Sequence, residues 1–149
     1  MTTIKPEVTV VCIANYCRSP VAEQVLNKKF EEINFTSAGI SPIPESNMDR
    51  RSRNFLVSKK INPYIHNPKK INVNTVKSCS LILALDLVVL GHLNKEFKNY
   101  REKIKLISSQ NPKAILSDPY KLNEEEYKKI MQNLYDVCQE IDFKHLGVV

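Results

Sequence analysis

The feature that most constrains the fold of this chain is a β-branched run that passes through a short loop directly into a helix. Residues 8–13 read VTVVCI, which suits a strand buried on both faces. Residues 12–19 form the loop, and a helix is predicted to follow over residues 20–32. A buried strand followed so closely by a helix is typical of a parallel sheet in an α/β fold.

The predicted helix carries both an apolar stripe and a start signal. Its apolar side chains are spaced for an amphipathic helix, and they are Val21, Val25 and Phe30. Ser19 is the predicted N-cap and Pro20 suits the first helical position. Glu23 is expected to supply the reciprocal acid of the cap.

The alternation of strands and helices continues along the chain. Further strands are predicted at residues 34–38, 80–85 and 103–108, and further helices at residues 48–59, 72–79, 86–97 and 123–143. We therefore predict an α/β, single-domain, three-layer fold over residues 1–149, with a four-stranded parallel sheet and helices on both faces. Ligands of such sheets bind at the carboxyl ends of the strands, which is where the loop after the first strand lies.

Composition narrows the class of ligand. The net charge of +6 favours anions. A nucleic-acid partner is not expected, because the basic residues are scattered, Trp is absent and only 7% of the residues are aromatic, which leaves little for base stacking.

Cysteine usage and hydropathy indicate where the protein is expected to be located. The four cysteines form no Cys-x-x-Cys pair and no His-Cys cluster, so we expect free thiols, no metal and no cofactor. The first seven residues lack the apolar core of a signal peptide, and the apolar run at residues 81–90 is broken by Asp86. The expected location is the cytoplasm, without membrane association.

The loop after the first strand has the residues needed to bind and attack a phosphate. Cys12 and Arg18 are six positions apart. The backbone N–H groups between them can point inward as an anion nest, and the helix that follows adds the positive end of its dipole. Arg18 can hold two phosphate oxygens, and the combined field stabilises Cys12 as a thiolate nucleophile. The predicted phosphate-binding residues are Ile13, Ala14, Asn15, Tyr16, Cys17 and Arg18.

Alone, a cysteine near the end of a buried strand is more often a core residue, and Cys-x5-Arg is a weak signal. Its position between a strand and a helix favours the catalytic interpretation. Moreover, residues 11–23 read VCIANYCRSPVAE, which closely resembles the pattern V-C-x-G-N-x-C-R-S-P-x-A-E of the low-molecular-weight protein tyrosine phosphatase family. Only Ala14 departs from the fixed positions, and later markers of the family follow in order along most of the chain.

The resemblance implies further site residues. Asp118, in the sequence Ser-Asp-Pro-Tyr, matches the family's general acid, although such a sequence alone is an ordinary turn. Asn15 matches an asparagine that the family holds in a left-handed conformation. Polar side chains that pin the loop correspond to Ser19, Ser37 and His66.

Two more positions are implied by the same likeness. Asp86 corresponds to a mainly structural aspartate after the third strand. Cys17 fills the place of a second loop cysteine, which can form a disulfide with the nucleophile and protect it from overoxidation.

The departures from the family pattern concern the surroundings of the loop. Ala14 replaces a glycine, and its added Cβ is costly only if the residue needs a positive φ. The segment after Gly39 lacks the aromatic residue that often forms one wall of the substrate slot, and Ile43 stands nearby. Tyr16 and Tyr120 are the other expected walls.

The resemblance thus implies a phosphatase that hydrolyses phosphate monoesters through a phosphocysteine on Cys12, with Asp118 as general acid and base. The expected substrates are phosphorylated proteins, phosphotyrosine foremost, or small aryl phosphates. Inorganic phosphate and vanadate should inhibit, and the protein should be a monomer or a weak dimer.

Three alternatives remain. A thioredoxin-linked arsenate reductase of the same fold needs two further cysteines close together, whereas Cys79 and Cys138 are far apart in the sequence. A non-catalytic phosphoprotein-binding domain would not need Cys12, Arg18 and Asp118 together. A nucleic-acid-binding module rests on charge alone.

Overall fold

The computed structural model describes residues 4–44 and 47–149. Strands and helices alternate within them. The strands are β1 (Glu7–Cys12), β2 (Asn34–Gly39), β3 (Leu81–Ala84) and β4 (Ile104–Leu106), and the helices are α1 (Arg18–Lys29), α2 (Arg50–Ser58), α3 (Val73–Ser78), α4 (Leu87–Glu96) and α5 (Glu124–Glu140). A 3-10 helix, Lys98–Lys103, connects α4 to β4. Every predicted element is present, with ends that differ by at most three residues.

The four strands form one parallel sheet in the order β2-β1-β3-β4. Side chains of β1 alternate between its two faces, as expected for a strand buried on both. Val8, Val10 and Cys12 pack in the core formed with α1, α2 and α5. Val11 packs in the opposite core, with side chains of α3 and α4. The predicted three-layer architecture is confirmed.

The predicted start of α1 was wrong. The helix begins at Arg18, its N-cap is Cys17, and no side chain caps it. Ser19 is instead bonded to Cys12 and Asn15, and the Glu23 carboxylate to Ser37. The Ser19 hydroxyl and the Glu23 carboxylate are therefore used in tertiary contacts with the loop and β2. In addition, Ser19 and Glu23 are four residues apart, whereas a capping box needs a spacing of three.

The predicted amphipathic character of α1 was wrong as well. Every residue from 18 to 26 is buried. The reason is its position, since α1 packs against β1, β2, α2 and α5 and therefore has little surface to present to water. The polar side chains in this stretch are buried because they have hydrogen-bond partners.

Residues 107–123, between β4 and α5, contain neither strand nor α-helix. Because no ladder of backbone hydrogen bonds holds this segment, which contains Asp118, its position depends on the burial of Ile107 and Leu116 in the core and on side-chain donors from other elements. Among the helices of the described residues, none combines the length and hydropathy needed to cross a membrane.

Candidate active site

The predicted loop lies at the carboxyl end of β1, between β1 and α1. After β1 the chain adds β2 on one side and later β3 on the other, so the loop is at the point where strand order reverses. This is the position at which open parallel sheets bind ligands.

One cleft brings most of the predicted site residues together. It is lined from the loop side by Cys12, Ile13, Ala14, Tyr16, Cys17 and Arg18, and from outside the loop by Ile43, Asp118 and Tyr120. The three predicted catalytic residues and the three predicted slot walls therefore face the same space. The rings of Tyr16 and Tyr120 meet edge to face, with centroids 6.1 Å apart.

The predicted loop-supporting residues lie behind the cleft, around Asn15. Asn15 is fully buried and has a φ of 53°, so the predicted left-handed conformation is confirmed. Its Nδ2 donates to Ser19 Oγ at 2.8 Å and to Ser37 Oγ at 2.9 Å. Its backbone carbonyl lies 2.6 Å from His66 Nε2. Asn15 is thus held through its side chain by Ser19 and Ser37 and through its backbone by His66.

The direction of these bonds leaves a proton for Cys12. Ser19 Oγ accepts from Asn15 Nδ2, so its own hydroxyl hydrogen is available to Cys12 Sγ, which lies 2.9 Å away. A hydroxyl donor at this distance can form a hydrogen bond to a sulfur that carries negative charge. The arrangement therefore suits a cysteine that works as a nucleophile.

The support extends to two residues that sequence reasoning missed. Ser37 Oγ accepts from Asn15 and donates to Glu23 Oε1 at 2.8 Å. Tyr64 donates its hydroxyl to the other oxygen of Glu23. Burial and the adjacent carboxylate raise the pKa of Tyr64, which keeps it a donor. Glu23 lies in the loop pattern itself but was interpreted as part of a cap, and nothing in the local sequence marks Tyr64.

Arg18 is buried and held from behind. Its Nη1 donates to Asp86 Oδ2 and to the carbonyl of Leu116, both at 2.7 Å. Asp86 also caps α4 by accepting from the N–H of Val89 at 2.9 Å. Asp86 is thus more than a helix cap, because it neutralises Arg18 and fixes its guanidinium beside the cleft.

Ala14 fits the loop without a conformational penalty. Among the described residues, a positive φ is found only at Asn15, Asn47, Lys60 and Gly147. The replacement of glycine at position 14 therefore does not force an L-residue into the left-handed region.

Cys17 is buried beside the cleft, and its Sγ lies 3.9 Å from Asp49 Oδ2. Burial raises the pKa of its thiol to about 12, and the Asp49 and Asp118 carboxylates act in the same direction. All four cysteines are free. A disulfide between Cys12 and Cys17 stays a prediction.

Asp118 is exposed at the rim of the cleft, in the segment between β4 and α5. Its Oδ1 accepts from the N–H of Tyr120 at 3.1 Å. A carboxyl group there can exchange protons with a bound ligand and with water. Within residues 4–44 and 47–149 no three His, Cys, Asp or Glu side chains are grouped as metal ligands.

Comparison with known proteins agrees with this geometry. The profile of the low molecular weight phosphotyrosine protein phosphatase family matches residues 7–146. A rat protein named low molecular weight phosphotyrosine protein phosphatase is 30% identical, over 87% of this chain and 89% of its own. The Acinetobacter johnsonii low molecular weight protein-tyrosine-phosphatase Ptp is also 30% identical, over 76% of this chain and 79% of its own.

Solved structures show the same fold. Wzb of Vibrio vulnificus, in complex with benzylphosphonate, superposes with a TM-score of 0.84 at 22% identity, over 90% of this chain and 94% of the other. The YwlE arginine phosphatase of Geobacillus stearothermophilus superposes with a TM-score of 0.85 at 20% identity, over 95% and 94% of the two chains.

The family profile extends over nearly the whole chain, and the match to each of the two relatives includes most of the relative's own length. The α/β fold with its loop after β1 is shared with the solved structures. The chain therefore belongs to the low molecular weight phosphotyrosine protein phosphatase family and is a phosphatase.

Proposed function

We propose that residues 1–149 form a single domain that hydrolyses phosphate monoesters through a phosphocysteine on Cys12, with Asp118 as general acid and base. The observation that carries this proposal is the cleft in which Cys12, Arg18 and Asp118 meet. A thiolate, a phosphate-binding cation and a proton donor around one small space are the parts that this reaction needs.

In the first step, the substrate phosphate occupies the nest of loop N–H groups and Arg18. Cys12 Sγ attacks phosphorus, the bond from phosphorus to the ester oxygen breaks, and Asp118 gives its proton to the leaving oxygen. The loop donors stabilise the charge on the three equatorial oxygens in the transition state.

In the second step, the Asp118 carboxylate takes a proton from water. The resulting hydroxide oxygen attacks phosphorus, the bond from sulfur to phosphorus breaks, and Cys12 leaves as the thiolate. Inorganic phosphate is released, and inorganic phosphate or vanadate inhibits by occupying the same nest. No cofactor takes part.

The walls of the cleft favour aryl phosphates, and among proteins phosphotyrosine. Tyr16, Tyr120 and Ile43 provide flat and apolar surfaces above the loop. The rat relative is named for phosphotyrosine, and the Vibrio structure holds an aromatic phosphonate. Because the YwlE fold carries an arginine phosphatase, phosphoarginine belongs in the substrate comparison.

The cysteines bear on two further expectations, the cellular compartment and the arsenate reductase alternative. The free, buried state of all four cysteines fits a reducing compartment such as the cytoplasm. Cys79 and Cys138 belong to cores on opposite faces of the sheet, which speaks against a disulfide relay of the arsenate reductase type.

Hydrolysis of 4-nitrophenyl phosphate tests the mechanism. Cys12→Ser and Arg18→Ala should each lower kcat/KM by roughly a thousandfold or more, because loss of one member of a concerted site removes most of its rate. Cys79→Ser is the matched control for the thiol, since a serine can keep the bond to Thr9 Oγ1. Turnover that survives Cys12→Ser would refute the mechanism.

The acid and the substrate class need separate measurements. Asp118→Asn should slow turnover roughly a hundredfold and let phosphocysteine accumulate in quenched reactions. Unchanged turnover would place the acid elsewhere. Steady-state rates on peptides that carry phosphotyrosine, phosphoserine or phosphoarginine should rank phosphotyrosine first.

A further inference from the structure

We propose that Arg51 is a positioning residue that holds the segment carrying Asp118 at a set place relative to the phosphate-binding loop. This inference rests on the proposed function, in which Asp118 is the general acid and base. Arg51 itself does not line the cleft.

Arg51 connects helix α2 to the Asp118 segment through two backbone carbonyls. Its Nη2 donates to the carbonyl of Tyr120 and its Nη1 to that of Leu122, both at 2.9 Å. The N–H of Tyr120 in turn donates to Asp118 Oδ1. One residue, Tyr120, therefore accepts from Arg51 and orients the carboxylate of Asp118.

The guanidinium of Arg51 is itself fixed. It donates from Nε and Nη2 to the two oxygens of Asp49, at 3.0 and 2.9 Å. Its face lies on the ring of Tyr127 in α5, with the central carbon 3.9 Å from the ring centroid. Although burial opposes ionisation of Asp49, the bonds from Arg51 hold the pKa of Asp49 below its ordinary value, so the pair stays charged.

The N-terminal end of α2, with its N-cap Asp49, also holds the phosphate-binding loop. The N–H of Asp49 donates to the carbonyl of Tyr16 at 3.0 Å. Ser52 Oγ donates to the carbonyl of Cys17 at 2.8 Å. Residues 49–52 thus bind both halves of the site, the loop through Asp49 and Ser52 and the Asp118 segment through Arg51.

Arginine is suited to this task and lysine is not. Residues 107–123 have no strand or α-helix, and beyond the buried Leu116 the chain around Asp118 relies on donors from outside to fix its backbone. A planar guanidinium can reach two carbonyls and a carboxylate at once, whereas an ammonium group donates from a single nitrogen. Arg51→Lys should therefore keep the charge beside Asp49 and still release the segment.

The test compares leaving groups. Arg51→Gln should lower kcat/KM for phenyl phosphate by roughly ten- to hundredfold, because a displaced acid protonates the leaving oxygen poorly. The loss for 4-nitrophenyl phosphate should be several times smaller, since nitrophenolate depends less on protonation by a general acid when it leaves. Arg50→Gln is the matched control, because the Arg50 side chain is 72% exposed and pairs with Glu124 at the surface. The control should change neither rate by more than about twofold.

A double-mutant cycle separates positioning from a general structural role. In the Asp118→Asn background, Arg51→Gln should change kcat/KM by less than about twofold, since the group it positions is already absent. Vanadate affinity should stay within about threefold of the parent value, because Asp49 and Ser52 still hold the loop. Arg51→Lys should show the same pattern, because it also releases the segment.

Three results would overturn the inference. They are equal losses for the two leaving groups, an Arg51→Gln effect that is undiminished in the Asp118→Asn background, and vanadate affinity that falls in parallel with activity. If Asp118→Asn alone leaves both rates unchanged, the acid assigned in the proposed function fails, and the role of Arg51 fails with it. An effective Asp118→Asn combined with any of the three results refutes only the role of Arg51.

Discussion

Gly39→Ala should displace the backbone of the phosphate-binding loop, because Gly39 packs against that backbone on the side away from the cleft. Gly39 ends β2 beside Cys12, and the N–H groups of the next two residues donate to the carbonyls of Cys12 and Ile13, at 3.1 and 2.8 Å. A Cβ on Gly39 would lie 2.8 Å from both the nitrogen of Asn15 and the carbonyl oxygen of Ile13, and 3.0 Å from the carbonyl carbon of Ala14. These are backbone atoms, which cannot rotate aside, so the loop or β2 must move.

The size of the effect follows from that overlap. Insertion of a methyl group into a packed site costs about 1–3 kcal/mol of unfolding free energy. Because the atoms that move carry the N–H groups of the anion nest, vanadate affinity and kcat/KM should fall by roughly tenfold or more. The strain comes from close approach, since Gly39 is not among the residues with positive φ.

Gly91→Ala is the matched control. A Cβ on Gly91 has no neighbour within 4 Å, and the residue is inside α4. This substitution should stabilise the protein by about 0.5–1 kcal/mol and leave activity unchanged. Urea unfolding gives the stability of both variants, and vanadate titration gives their affinity for vanadate. A Gly39→Ala protein with the stability and vanadate affinity of the parent would refute the argument from close approach.

Three further predictions concern other parts of the site. Asn15→Ala should lower stability in urea by about 2–5 kcal/mol, because it forces alanine into the left-handed region and removes the buried donor to Ser19 Oγ and Ser37 Oγ. Asn15→Gly should recover only about 1 kcal/mol of that loss, and full recovery would show that the hydrogen bonds contribute little. Tyr120→Ala should raise KM for aryl phosphates about two- to tenfold and Tyr120→Phe should not, so equal KM values would exclude ring contact with the substrate. Burial raises the pKa of Cys17 to about 12 from 9.0, so the unfolded chain loses this proton first and stability falls as the pH rises above about 9. Cys17→Ala should lessen that fall by up to about 1.4 kcal/mol per pH unit between about pH 9 and 10.5. The prediction is contradicted if the unfolding free energy, measured by urea unfolding at each pH, depends on pH as steeply in the variant as in the parent.

The predictable part of the fold was the part set by local patterns. The strand at residues 8–13 was evident because all its positions but one carry apolar side chains, and the parallel order followed from alternation with helices. The start of α1 was mispredicted because Ser19 and Glu23 look like cap residues when only near neighbours are considered. Their partners, Cys12, Asn15 and Ser37, reach them only in the folded chain.

The same division holds for the candidate site. Cys12 and Arg18 were predictable because strand, loop and helix are contiguous, so the spacing of the two residues along the chain sets their spacing in the loop. Asp118 came from family resemblance, since nothing local distinguishes it from a turn residue. Arg51 gave no signal, because its partners at Tyr120 and Leu122 are about 70 residues away in the sequence.

The sequence by itself determined the strands and helices, the loop at the end of the first strand and the cysteine and arginine in that loop, because each depends on residues within one element or its neighbouring turn. Only the tertiary structure decided which donors hold the loop, how Asp86 fixes Arg18, and how α2 is bound both to the loop and to the segment of Asp118. Those contacts join residues distant in the chain, and their energies depend on distances that exist only after the helices have packed on the sheet.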